Sequence, residues 1–132
     1  MITVLNFSHP LAPAAAEAIA NNYGAGEARI IDVPVQLDLN SPTRDQLYQL
    51  TEEALSRLGS PNRLNVDCII LPGYALAAVA MARAFPSANI IRLHRTGLEP
   101  FMPTELIRPW TNFAPDPDRV PRARAEEDNH GR

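Results

Sequence analysis

Residues 66–85 read V-D-C-I-I-L-P-G-Y-A-L-A-A-V-A-M-A-R-A-F, and residues 86–94 continue P-S-A-N-I-I-R-L-H. The run from Val66 to Leu71 is apolar and rich in β-branched residues, the pattern of a buried strand. Pro72-Gly73 breaks it as a turn. Residues 74–85 form a helical stretch that is apolar nearly all round. Such a helix is buried on more than one side, and in a chain of 132 residues that points to another subunit as the second side. Pro86-Ser87 ends the helix, and residues 88–94 return to a strand. A strand, a helix and a second strand in this order make a crossover unit, which places the two strands parallel in one sheet.

The same alternation extends toward the N-terminus. Residues 2–6, I-T-V-L-N, read as a first strand, and Pro13 opens an alanine-rich helix over residues 14–21 that Gly24 and Gly26 end. Residues 28–35, A-R-I-I-D-V-P-V, read as a second strand, which Pro34 pushes toward a sheet edge or terminates. Ser41-Pro42 reads as a helix start, with serine as the N-cap and proline in the first turn. Leu47, Leu50, Ala54, Leu55 and Leu58 mark one face of that helix, and Gly59 closes it. After Gly97, Pro100, Pro103 and Pro109 punctuate the chain. That segment reads either as a short fifth strand around residues 105–108 or as a loop packed on the body. Residues 114–132 carry Pro115, Pro117 and Pro121 and almost no large apolar residue, and are expected to be a disordered or extended tail.

The fold expected is therefore α/β: one domain over residues 1–113, a parallel sheet in the order 2-1-3-4, helices on both faces, and a proline-rich C-terminal extension over residues 114–132. Right-handed crossovers select that order. It puts the first and third strands side by side with their following helices on opposite faces. The gap between them is the switch point where open α/β sheets hold ligands.

Composition bounds what such a site could do. The net charge of −3 does not favour duplex DNA or a membrane surface as partner. All 12 basic residues are arginine, a bias of composition more than of function. Any bound anion must then be held by arginine forks, backbone N–H groups or histidine. The single cysteine, Cys68, can build neither a disulfide framework nor a thiolate metal site, which fits a reducing, cytoplasmic setting. The N-terminus lacks the basic start and apolar stretch of a signal peptide, and no apolar run approaches the roughly 20 residues of a membrane span.

Two loops meet at the expected crevice: Asn6-Phe7-Ser8-His9-Pro10 after the first strand and Pro72-Gly73-Tyr74 after the third. The end of the fourth strand, with Arg92, His94 and Arg95, is expected beside them. Gly73 admits a ligand close to the backbone and precedes a helix N-terminus, which favours an anion such as phosphate. Ser8 and His9 are donors, and Tyr74 or Phe7 is a platform for a base. Each residue also has a plain reading. Ser8-His9-Pro10 makes an ordinary turn with Ser8 capping the first helix, Tyr74 packs on a neighbour, the arginines are solvated strand-end charges, and His94 is structural. Common dinucleotide and P-loop fingerprints are absent. Ser8 and His9 are adjacent, so in an extended segment they point apart and do not pair as nucleophile and base. No metal-ligand spacing is present, and no cofactor is implied. Asp32, Asp38 and Asp67 lie on or near strands, but nothing in the sequence pairs them as acid and base.

N-F-S-H-P-L after the first strand, L-P-G after the third and I-I-R-L in the fourth give the chain a family likeness over roughly residues 1–97. It resembles small CRISPR-associated accessory proteins found beside type III systems, with a stand-alone CARF-like domain. The resemblance implies a small Rossmann-like fold and a homodimer that binds a cyclic oligoadenylate, with cyclic tetra-adenylate the ring best suited to two-fold symmetry. Carried onto this chain, it implies that Asn6, Ser8 and His9 contact phosphate, ribose or base, and that Gly73 and Tyr74 supply a helix N-terminus and a wall. No nuclease or other output domain is apparent in the sequence, so sequestration of the messenger is the leading expectation. A metal-independent ring nuclease, with His9 as its candidate catalytic residue, and a protein-interaction module of a CRISPR system are the alternatives.

Overall fold

The computed structural model describes residues 1–109. The expected tail over residues 114–132 lies outside them. Five strands form one sheet: β1 (Ile2–Asn6), β2 (Ala28–Asp32), β3 (Cys68–Ile70), β4 (Asn89–His94) and β5 (Met102–Ile107). Three α-helices join them: α1 (Pro13–Tyr23), α2 (Thr43–Leu58) and α3 (Ala75–Ala84). The strand order is β2-β1-β3-β4-β5. The first four strands are parallel, in the order 2-1-3-4 that the crossover argument gives. The expectation stopped one strand short, because β5 adds to the edge antiparallel to β4. It begins at Met102, earlier than the expected 105. A register shift between Arg92 and Leu93 interrupts this pairing near Pro103, as an edge strand allows.

β1 explains the layering. Its side chains alternate with the two-residue period of a strand. Ile2 and Val4 point to one face, where they pack with Ile19 of α1, Cys68, Ile70 and Ile91. Leu5 and Phe7 point to the other, where they meet Leu50, Ala54 and Leu58 of α2, Met81 of α3 and Phe85 just after α3. One helix therefore covers the first face and two cover the second. β1 and β3, between neighbours and between layers, read as continuous apolar runs for that reason.

The element ends show local chemistry at work. β2 stops at Asp32 rather than running to residue 35. The Val33 N–H still donates to the Asn6 carbonyl (2.8 Å), and then Pro34 offers no donor to continue the ladder. α2 starts at Thr43 with Pro42, not Ser41, at the N-cap. The Ser41 hydroxyl instead donates to Asp38 Oδ2 (2.8 Å), and the Asn40 N–H donates to Asp38 Oδ1 (2.9 Å), so an aspartate-centred turn precedes the helix. These two hydrogen bonds hold the Asp38 carboxyl below its ordinary pKa. Gly59 ends α2 in the left-handed region at φ 77°, where its N–H reaches the Leu55 and Ser56 carbonyls. At Gly24 a Cβ would strike the Glu27 carbonyl and lie 2.6 Å from Ile2 Cγ2, so only glycine fits between α1 and β2.

Candidate functional site

The loop after β1 is built on Asn6. This residue is fully buried at the C-terminal end of a central strand and sits in register with Asp32 of β2 and Ile70 of β3. Its amide Nδ2 donates to the His9 carbonyl and to Asp32 Oδ1, each at 3.0 Å. Its Oδ1 accepts the Ser8 N–H at 3.0 Å. Both N–H groups and the oxygen are engaged within the protein, so Asn6 braces the loop and has no donor left for a ligand. Phe7 turns into the core, 2% exposed, with its ring 6.2 Å from that of Phe85. The expected ligand contacts at Asn6 and Phe7 are thereby replaced by scaffold roles. Ser8 is half-buried, and His9 and Pro10 are exposed at the tip. Ser8 does not cap α1, whose N-cap is Ala12 with no side-chain hydrogen bond.

Opposite this loop stands the β3–α3 turn. Pro72 is buried, while Gly73 and Tyr74 are exposed. A Cβ on Gly73 would meet nothing within 4 Å, so its backbone faces open space. Tyr74 is the N-cap of α3 and makes no side-chain cap hydrogen bond. The first-turn N–H groups of a helix lack intrahelical partners and carry the positive end of its dipole. Asp32 at the end of β2, with Pro34, Val35 and Gln36 after it, supplies a third wall. Together these segments enclose a crevice of about 510 Å³ that Ser8, His9, Pro72, Gly73 and Tyr74 all line. Asp32 and Gln36 are site residues that the sequence reading did not assign. The signal for Asp32 was its register opposite Asn6, which only strand pairing reveals.

The Ser8–His9–Pro10 loop also walls a second cavity, of about 600 Å³, on its other side. Leu11, Ile70, Ile91, Leu93 and Phe101 line it, with Arg92 the charged member among its described lining residues. Most of its wall belongs to the α1-side core, through Leu11, Ile70, Ile91 and Leu93, while Leu71 and Ile90, which pack on the other core, also line it. Neither Leu11 nor Phe101 was singled out in the sequence.

The end of β4 is placed differently from expectation. Arg92 faces Glu105 of β5, with Nη1 3.4 Å from Oε1. The Arg95 guanidinium lies over the Phe101 ring, 4.9 Å from its centroid. His94 pairs with Met102 in register and is exposed. Arg92 lines the second cavity, while His94 and Arg95 line neither. The cause is β5, which extends alongside β4 to its last residue, so that Arg92 meets Glu105 and Arg95 meets Phe101 just before β5.

Among the described residues, no arginine lines the first crevice. The polar groups lining the crevice are the Ser8 hydroxyl, the His9 ring, the Gly73 and Tyr74 backbone just before α3, the Gln36 amide and the Asp32 carboxylate, whose Oδ1 accepts from Asn6. Cys68 is buried in the α1-side core, where burial pushes its thiol up to about 12, so it stays protonated and inert. Among the described residues, no three His, Cys, Asp or Glu side chains cluster to hold a metal ion. None of the described helices is long and apolar enough to cross a membrane. Comparison with protein-family models, curated proteins and solved structures gave no match.

Proposed function

We propose that two copies of this chain bind a cyclic oligoadenylate, cyclic tetra-adenylate first, and damp a type III CRISPR antiviral signal in the cytoplasm by sequestering it. One observation carries this reading: Ser8-His9-Pro10 and Pro72-Gly73-Tyr74 line one crevice at the C-terminal ends of adjacent parallel strands. That is the ligand position of an open α/β sheet. The resemblance of N-F-S-H-P-L and L-P-G to CARF-like accessory proteins supplies the ligand class. Gly73 leaves room for a phosphate at the α3 N-terminus, and Tyr74, 41% exposed, offers a ring for a base. The outer face of α3 exposes Leu76 and Val79 beside Tyr74. A second copy seated there brings two crevices to one two-fold axis, matching the symmetry of a four-membered ring.

A second reading is favoured by one finding, that Asp32 shares the crevice with His9. In a metal-independent ring nuclease the ribose 2′-hydroxyl attacks its own phosphate. The protein holds the attack in line, one group accepts the hydroxyl proton, and another protonates the leaving 5′-oxygen. Asp32 and His9 are the groups available for those two roles.

Incubation with excess cyclic tetra-adenylate, with products resolved over time, separates the readings. Intact ring co-eluting with a dimer is the expected result. Linear products that vanish in His9→Ala and Asp32→Asn would transfer the assignment to the nuclease. Failure to bind any cyclic oligoadenylate would overturn both.

A further inference from the structure

We propose that the apolar cavity on the α1 side of the Ser8–His9–Pro10 loop is a purine pocket, so that a bound adenylate straddles this loop with its phosphate in the crevice. The inference rests on the reading of the crevice as a nucleotide site and assigns the second cavity to the same ligand.

Three observations carry it. The first is adjacency. Ser8, His9 and Pro10 line both cavities, so their occupants are separated only by one loop. The second is a division of chemistry across that loop. The crevice, though also lined by Phe7, Pro34, Val35 and Tyr74, offers a phosphate the Ser8 hydroxyl, the Gln36 amide and the exposed backbone of Gly73, whereas the cavity is walled by Leu11, Ile70, Ile91, Leu93 and Phe101. An ionised phosphate does not leave water for a wall of methyl groups, but a heteroaromatic ring does. A nucleotide carries both kinds of group a few bonds apart. At about 600 Å³ the cavity falls in the size range of small-molecule pockets and has room for a base with its ribose.

The third observation is Phe101. Its ring is 48% exposed and lines the cavity, while the Arg95 guanidinium stacks on it at 4.9 Å. The guanidinium fixes the ring by a cation–π contact, which makes it a preset platform for a second flat group. Arg92 completes the rim. Its exposed pairing with Glu105, at 3.4 Å, is loose enough to exchange for a ring nitrogen or a ribose oxygen.

The test is calorimetric titration of adenosine 5′-monophosphate, ribose 5-phosphate and cyclic tetra-adenylate into the wild type and into Leu93→Trp and Phe101→Ala. Leu93→Trp fills the cavity, and Phe101→Ala removes an exposed wall without touching the core. The wild type is expected to bind the monophosphate at least tenfold more tightly than ribose 5-phosphate. Both variants are expected to lose that preference and to bind the ring at least tenfold more weakly, at unchanged melting temperature. Nuclear Overhauser contacts from adenine H2 and H8 to the Leu93 and Ile91 methyl groups give a readout independent of any variant. Unchanged ring binding in both variants, with adenine contacts to Tyr74 and Val35 alone, overturns the pocket and leaves the crevice reading standing. A monophosphate preference that the variants abolish, without ring binding by the wild type, supports the pocket and overturns the ring as ligand. Absence of binding by all three compounds overturns both.

Discussion

Two strand ends of this molecule each deliver a histidine to the same edge of the sheet, and the structure treats them differently. At the end of β1, His9 stands on a loop whose backbone is clamped at two points by the fully buried Asn6, which is itself tied to Asp32 of β2. At the end of β4, His94 is exposed, flanked by Arg92 on Glu105 and Arg95 on Phe101. β1 has parallel neighbours on both sides, whereas β4 borders the antiparallel edge strand β5. A central strand end opens into a crevice with a defined floor and walls. The β4 end is occupied by contacts with β5. Residue type alone does not make a site: both histidines are exposed, but the one two strands further out lines neither cavity.

Substitutions can break or sharpen this contrast. The largest effect is expected at Asn6→Leu, which leaves the Ser8 N–H and the His9 carbonyl without their side-chain partner. A stability loss of about 2 kcal/mol is expected from urea unfolding, and ring affinity should fall with it because the loop loses its brace. Gly73→Leu comes next. A side chain there enters open space, so the melting temperature should hold, while cyclic tetra-adenylate affinity drops at least tenfold in calorimetry. The two histidines then give a direct pair. His9→Ala should weaken ring binding several-fold, and His94→Ala should leave it unchanged, with stability altered by less than about 0.5 kcal/mol in either variant. Arg92→Ala should have the smallest effect on stability. Its pair with Glu105 is half-exposed at 3.4 Å, and thermal unfolding should register no more than about 0.5 kcal/mol.

Most of the fold was legible in the sequence, for identifiable reasons. β1, β3 and α3 stand out because apolar runs are closed by proline or glycine, and right-handed crossovers then order the first four strands. β5 was legible only in part. Pro100, Pro103 and Pro109 obscure it, and an edge strand with an irregular register tolerates the proline that an inner strand would not. The α2 start was misassigned because a Ser-Pro pair normally caps a helix, whereas Asp38 captures Ser41 first. At the site, Ser8, His9, Gly73 and Tyr74 could be located because they directly follow the two central strands. The inward turn of Phe7 and the bracing role of Asn6 could not, since each depends on a partner distant in sequence, Phe85 and Asp32. The β4 end was misplaced for the same reason: its partners come from β5.

The central claim is that the crevice between the β1 and β3 ends binds a cyclic oligoadenylate. Its most direct test is calorimetric titration of cyclic tetra-adenylate into the wild type and Gly73→Leu, with the ligand recovered afterward. The account predicts saturable binding of one ring per two chains, recovery of the ring intact, and at least tenfold weaker binding by Gly73→Leu. Absence of saturable binding, or an affinity that Gly73→Leu leaves unchanged, would contradict it.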